Sequence, residues 1–271
     1  MVVAGVHGHG ASHLRRLAGL GHVAELVGVC DPRPVPAEVF DGPVSPDLRA
    51  LIEETRADVA VLATPIHTHE ELAVAALRAG AHVLLEKPPA ASLDAFERIV
   101  SAAAETGRGC QVGFQSLGSL AVPAVRELLA GIGPLRGIGV AGAWPRPAAY
   151  FTRGAWSGRR RLNGVDVVDG AVTNPFAHAV STALAVAGTP VASVECELFH
   201  ANPIESDDTS SLRILLADGT PLVVAVTLCA ASREEPYVLF HGARGRVRLT
   251  YTTDEEQVDD GPVGKYGRAD L

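Results

Sequence analysis

Cysteine is scarce in this chain: four residues in 271. Cys30, Cys110, Cys196 and Cys229 stand far apart in apolar, strand-like runs. No CxxC or other metal-ligand spacing occurs, so the expectation is buried thiols in a reducing cytoplasm. Positive charge is also short. The net charge is −8, which argues against a general nucleic-acid surface. Long hydrophobic runs are missing. The most apolar stretch, Ala179 to Val194, is broken by Ser181, Thr182, Gly188 and Pro190 and is too short to span a bilayer comfortably. The N-terminus lacks a charged segment followed by a long apolar one, so secretion is not expected. Lysine is nearly absent: Lys87 and Lys265 are the only two. What is present is a globular composition, 47% hydrophobic and 20% charged, which excludes a disordered chain and suits one large or two modest domains.

One of the two lysines stands in a telling place. Val59 to Ala63 and His82 to Leu85 read as strands, and an alanine-rich helical pattern separates them. Short apolar runs of this kind suit parallel strands buried on both faces. Glu86-Lys87-Pro88 follows the second run directly, at its carboxyl end, where open α/β sheets place their ligands. Pro88 and Pro89 restrict the backbone around Lys87. Lysine is the cation whose pKa burial can lower far enough for proton transfer. The plain alternative is a solvated strand end with a surface ion pair.

The start of the chain carries a second motif. Val2-Val3-Ala4 is a brief strand, and Gly5, Gly8 and Gly10 precede a helical pattern through Leu14, Leu17 and Leu20. Strand, glycine loop and helix resemble a dinucleotide-binding turn: glycines let the backbone approach a pyrophosphate, and the helix start offers unpaired amides. His7 stands at the middle glycine position of GxGxxG, and Gly8 is one residue late. Glu25 to Cys30 reads as the second strand. Asp31 ends it, 21 residues after Gly10, near the spacing of an acid that binds ribose hydroxyls. An acid there favours NAD, although Arg33 could pair with the extra phosphate of NADP. Ser92 caps a helix through Thr106, and Cys110 to Phe114 is a further strand ending at Gln115. This alternation predicts a doubly wound parallel sheet.

Ala63-Thr64-Pro65, His67-Thr68-His69, Gly80-Ala81-His82-Val83 and Glu86-Lys87-Pro88, in that order, resemble the signature of the glucose-fructose oxidoreductase / inositol dehydrogenase / rhizopine catabolism (Gfo/Idh/MocA) family. The resemblance runs weakly from Val2 to about Tyr251 and is strongest before Gln115. It implies a Rossmann domain over 1–118. It also implies a cofactor site made of Gly5, Val6, His7, Gly8, His9, Gly10, Asp31, Arg33, Thr64, Pro65, His67, Glu86, Lys87 and Gln115. The family often has Asn-Arg-Arg after the equivalent of Phe114; Gln115-Ser116-Leu117 stands here, so any substrate contact by those arginines is in doubt.

Beyond Gly118 the pattern changes to a helix around Pro123 to Leu129 and longer alternating runs. Asp218-Gly219 is a hairpin signal. An α+β domain over 119–271, with a mixed, mostly antiparallel open sheet and helices on one face, is expected. Asp169 to His178 resembles the family's glycine-rich segment leading to an Asp-x-x-x-His pair on a helix. His178 matches, and Asn174 stands in place of the acid. Residues four apart share a helical face. Asparagine can hold a hydroxyl but cannot act as a base. His7, His9 and His13, or His67 and His69, have no acidic or cysteine ligand beside them, so no metal is expected. Arg159-Arg160-Arg161 could grip a phosphate, but three consecutive charges suit a solvated loop.

The expected function is an NAD(P)-dependent oxidoreductase of a secondary alcohol or ketone in a sugar, cyclitol or related molecule. By resemblance, Lys87 and His178 are catalytic, and Lys87, Asn174 and His178 bind substrate. NAD(H) is the preferred cofactor and NADP(H) the alternative. A homodimer or homotetramer through the C-terminal sheet is expected, in the cytoplasm, with no nucleic acid or membrane as partner. The missing acid, the irregular glycine loop and the polar segment from Asp254 to Leu271, where the family usually continues further, leave other readings open. These are a catalytically weakened dinucleotide-binding regulator, a shortened chain, and a reductase of a non-sugar unsaturated or aromatic compound.

Overall fold

The computed structural model describes residues 1–268. The chain divides into two compact units: Met1–Gly113 with Asn163–Val167, and Phe114–Leu162 with the chain from Val168 onward.

The first unit alternates strand and helix: β1 (Val2–Ala4), α1 (Gly10–Ala18), β2 (Gly28–Cys30), β3 (Val44–Ser45), α2 (Leu48–Thr55), β4 (Val59–Leu62), α3 (His69–Arg78), β5 (His82–Leu85), α4 (Leu93–Thr106) and β6 (Cys110–Val112). All the pairings are parallel, in the order β3-β2-β1-β4-β5-β6. This is the doubly wound sheet expected, with its reversal of strand order between β1 and β4. β3 is an addition, because it lies within a proline-rich stretch that reads as a plain connection. Val2, Ala4, Ala60, Leu62, Val83 and Leu85 face one core with Leu51, Ile52, Leu77 and Ile99 from α2, α3 and α4. Val3, Val29 and Val61 face the other side, against Leu14 and Leu17 of α1. Burial on both faces is what makes these strands continuous apolar runs. Asp47 and Ser92 cap α2 and α4 by accepting the Ala50 and Ala95 amides, and Gly107 closes α4 at φ 65°, as helix ends require.

The second unit holds α5 (Ala121–Ile132) and β7 (Leu135–Pro145). The short strands β8 (Arg161–Leu162) and β9 (Val165–Asp166) come next along the chain. They are followed by α6 (Ala177–Ala187), β10 (Val191–Phe199), β11 (Thr209–Leu216), β12 (Pro221–Thr227), β13 (Cys229–Gly242), β14 (Arg246–Thr250), β15 (Glu255–Val258) and β16 (Val263–Lys265). Eight strands form one sheet in the order β10-β11-β12-β7-β13-β14-β15-β16. Only β12 and β7 pair in parallel. Ile138, Val140, Ile214, Val224, Val238, Phe240 and Leu249 pack with Val122, Val125, Ala179 and Ala183 of α5 and α6. The segment after Asp254, read above as a polar tail, instead adds β15 and β16 to the sheet. Among the described residues, no helix is long and apolar enough to cross a membrane.

Candidate active site

The carboxyl ends of five parallel strands in the first unit, β2, β1, β4, β5 and β6, lie at one level. Gly5 N donates to Cys30 O at 2.9 Å, Ala63 N to Ala4 O at 2.9 Å, Glu86 N to Leu62 O at 2.9 Å, and Gly113 N to Leu85 O at 2.7 Å. That level carries the loop Gly5 to Gly10, Asp31, Thr64-Pro65 and Glu86-Lys87.

The glycines of the loop have separate jobs. Gly5 has φ +81°, and a Cβ there would lie 2.7 Å from Ala63 O; a Cβ on Gly10 would lie 1.9 Å from Gly5 O. These two glycines let α1 start tight against β1 and β4. Gly8 has φ +113° and open space where a Cβ would go, so its backbone is exposed to whatever approaches. The loop thus fits a pyrophosphate despite its departure from GxGxxG. Asp31 is buried, 4% exposed. Its Oδ2 accepts the Val6 amide at 3.1 Å, and its Oδ1 accepts the Arg33 amide at 3.0 Å and Nε at 3.2 Å. Burial alone would push this carboxyl up, but the hydrogen bonds from Arg33 and Val6 hold it below the usual carboxylate range. Asp31 therefore fixes the loop and Arg33 together. His7 Nε2 lies 4.0 Å from Asp31 Oδ1.

Glu86 gathers partners that its position in the chain does not announce. Its Oε1 lies 2.9 Å from His13 Nε2 and 3.2 Å from His9 Nε2, and its Oε2 accepts the Lys87 amide at 3.3 Å. Burial pushes the carboxyl up, but hydrogen bonds from the two histidines outweigh it and hold it well below the usual range. The same bond raises His9. The ligand atoms of His9, His13 and Glu86 all lie within 4.8 Å of one another, a set that could hold a metal ion. Glu86 thus supplies the acid that the histidine spacing lacks in sequence. The Lys87–Pro88 bond is cis. His69, 1% exposed, bridges Pro88 O at 2.8 Å and Thr64 O at 2.9 Å, tying the two loops together. Burial lowers both His69 and His67. Thr68 Oγ1 donates to Thr64 Oγ1 at 2.7 Å and fixes the turn after Pro65.

In the second unit, His178 is 9% exposed near the start of α6. Its Nδ1 lies 3.4 Å from Ser116 Oγ, which accepts from Thr182 Oγ1 at 3.0 Å. Phe114 and Tyr251 flank the imidazole, with ring centroids 5.8 Å and 6.4 Å away. Burial pushes the Tyr251 phenol up. Gln115 opens a short turn, Gln115–Gly118, and is exposed. α6 begins at Ala177, so Asn174 lies in the turn before the helix and not on its face. Asn174 Nδ2 donates to Asp169 Oδ1 at 2.7 Å, and Asp169 also accepts the Gly158 amide at 2.8 Å and the Arg153 guanidinium at 3.2 Å. A Cβ on Gly170 would lie 1.9 Å from Asp207 Oδ1; glycine lets the buried Asp207 accept the Ala171 amide at 2.9 Å. Asp169, Asp207 and Ser116 were not singled out by the sequence, and His13 was named only within a histidine set that lacked an acid. Their only signal there is polarity next to a motif. Arg159 pairs with Glu205 at the surface, as a solvated loop does.

The chain matches two family models. Residues 1–114 match the oxidoreductase family with the NAD-binding Rossmann fold, and residues 122–248 match the GFO/IDH/MocA C-terminal domain. The chain belongs to the GFO/IDH/MocA family. Inositol 2-dehydrogenase 1 of Saccharopolyspora erythraea is 41% identical over 112 residues, 39% of this chain and 33% of that protein. The match therefore spans a third of the relative's length. Among solved structures, the WlbA dehydrogenase of Bordetella pertussis, in complex with NADH and UDP-GlcNAcA, is 25% identical. It superposes with a TM-score of 0.82 over 100% of this chain and 83% of that one. The WlbA dehydrogenase of Chromobacterium violaceum, with the same ligands, gives 0.84 at 23% identity, over 100% and 77%. The family placement accounts for the Rossmann sheet, the Glu86-Lys87-Pro88 motif and the second, mainly antiparallel sheet.

Proposed function

We propose that this GFO/IDH/MocA member is an NAD(H)-dependent dehydrogenase or reductase acting on a secondary alcohol or ketone of a sugar, cyclitol or related molecule in the cytoplasm. The supporting observation is the single level of strand ends that carries the glycine loop, Asp31 and Glu86-Lys87. Residues 1–118 serve as the cofactor domain and 119–271 as the substrate and oligomerisation domain. The relative named for inositol and the neighbours crystallised with a nucleotide sugar acid support a carbohydrate-like substrate.

Bound NAD(H) would supply hydride exchange at the nicotinamide. The chain's own residues do the rest. The amides of the Gly5–Gly10 loop and the start of α1 hold the diphosphate. Asp31 and Arg33 face the adenosine ribose, and the carboxylate favours a free hydroxyl over a phosphate there. Thr64, Pro65, His67, Glu86 and Gln115 line the remainder. Lys87 Nζ gives a proton to the substrate oxygen during reduction and takes it back during oxidation. His178 orients the substrate or relays that proton, and Asn174 binds a hydroxyl. Asp169 holds the Asn174 amide nitrogen, so the asparagine presents its carbonyl oxygen as an acceptor.

Titration of the full chain with NADH and NADPH, followed by a turnover screen on sugars and cyclitols, tests this reading. NADH should bind more tightly. NADPH binding more than about tenfold tighter, a difference of about 1.4 kcal/mol, would remove Asp31 from the ribose. NADH binding with no polyol converted would favour the regulator.

A further inference from the structure

The end of β7 and the turn after it build a stack of alternating arginine and aromatic side chains in the second unit. Arg233 Cζ lies 4.7 Å from the Trp144 ring centroid and Arg146 Cζ 5.0 Å from the same ring. Arg146 is also 4.7 Å from Tyr150. Arg153 lies 3.9 Å from Tyr150 and 4.5 Å from Trp156. Two of the three guanidiniums have carboxylates: Arg233 pairs with Glu235, and Arg153 with Asp169. Arg146, between them, has no ion pair among the described residues. Its Nε and the Trp144 indole Nε1 are both buried donors with no acceptor in the protein.

The backbone holds Arg146 firmly. Pro145 and Pro147 flank it, restricting φ at both neighbours, and its amide donates to Leu228 O at 3.0 Å. A guanidinium carries its N–H groups as a fork in its own plane. That fork matches a planar carboxylate or a phosphate face. The stack also touches the residues assigned to substrate. Trp144 packs on Phe176 with ring centroids 4.7 Å apart, two residues before His178. Arg153 grips the Asp169 that orients Asn174.

We propose that Arg146 and the Trp144 indole form an oxyanion subsite, and that the substrate is a polyol bearing a carboxylate or phosphate. The link to substrate rests on the dehydrogenase reading; the anion site itself does not, and the test needs neither cofactor nor turnover. The chain has only two tryptophans, and both lie in the stack, so intrinsic fluorescence reports on it directly. The full chain is titrated at constant ionic strength with D-glucuronate, D-glucose 6-phosphate and D-glucose. Trp156→Phe assigns the signal to Trp144. A saturable change with either anion, half-complete at or below about 10 mM, and none with glucose is expected. Hydrogen bonds to charged groups are the strong ones, so Arg146→Gln should raise the half-saturation at least about tenfold. Arg146→Lys, which keeps the charge and loses the fork, should fall between. Which anion saturates first separates carboxylate from phosphate. No saturable change with either anion, an equal change with glucose, or a response that survives Arg146→Gln in a protein of unchanged circular dichroism would overturn the proposal.

Discussion

Lys87 is the residue on which the proposed chemistry turns. A positioned proton donor or acceptor contributes about 10² to 10⁴ in rate. Lys87→Ala should therefore bind NAD(H) nearly as the wild type does and lose turnover by at least about a hundredfold, or 2.7 kcal/mol of barrier. Wild-type turnover by Lys87→Ala would remove it from the reaction. Asn174→Ala should mainly raise KM, since asparagine does not titrate; the change removes the hydroxyl contact together with the hydrogen bond to Asp169. The neighbour of Lys87 makes a separate prediction about pH. Glu86 is held below its ordinary value of 4.5, so its contribution to stability is present above that pH and is lost as pH falls through the lowered value. His9 is raised above 6.5, so its contribution is complete below that pH and is lost as pH rises through the raised value. The pair is therefore worth most between these limits. Urea unfolding should show a larger gap between wild type and Glu86→Gln at about pH 5.5 than at about pH 8.5. A gap that is equal or wider at the higher pH would contradict the pairing.

At the scale of elements, the α1 entry shows how a loop can depart from a motif and keep its geometry. Gly10 is fixed by contact and Gly8 by conformation. Gly10→Ala places a methyl against the Gly5 carbonyl, and overpacking of this kind costs about 1–3 kcal/mol. Gly8→Ala meets no atom and costs only the left-handed backbone, about 1–2 kcal/mol. Urea melts should thus rank Gly10→Ala as the less stable variant, and the reverse order would refute the contact. Much of this unit was legible beforehand. Strands buried on both faces write themselves as short apolar runs, and Ser92 and Gly107 mark the ends of α4. β3 was not legible, because two residues between prolines carry no period. β15 and β16 were missed because their partly exposed, polar residues lack an apolar face. Asn174 and His178 read as neighbours on a helix because the spacing of four is helical; the chain instead makes a turn through Pro175 and starts α6 at Ala177. The histidine partners of Glu86 lie more than seventy residues before it, and local pattern cannot bring such positions together.

At the scale of the whole molecule, the question is what covers β10. It is the edge strand of the second sheet and is exposed along its length, Val191–Phe199. Its pairing register places Val194 beside Ile214, on the face that carries the helices, yet Val194 remains 55% exposed. Phe199, on the opposite face, is 52% exposed, and so is Val223 of β12 at 51%. An edge strand with apolar side chains bare on both faces is a template for pairing with another chain, and monomeric proteins usually blunt such edges with charge, proline or a covering helix. The only charges here, Glu195 and Glu197, lie on one face. Homo-oligomers with closed symmetry are the common solution, because one patch can then cover its own copy. The chain is thus expected to self-associate through the β10 side of this sheet. Light scattering at micromolar concentration should give a dimer or tetramer. Phe199→Arg, which puts a charge at the C-terminal end of this edge without touching the buried core, should shift it toward monomer. A wild-type monomer, or an oligomer that Phe199→Arg leaves intact, would place the contact elsewhere and leave β10 as an exposed edge.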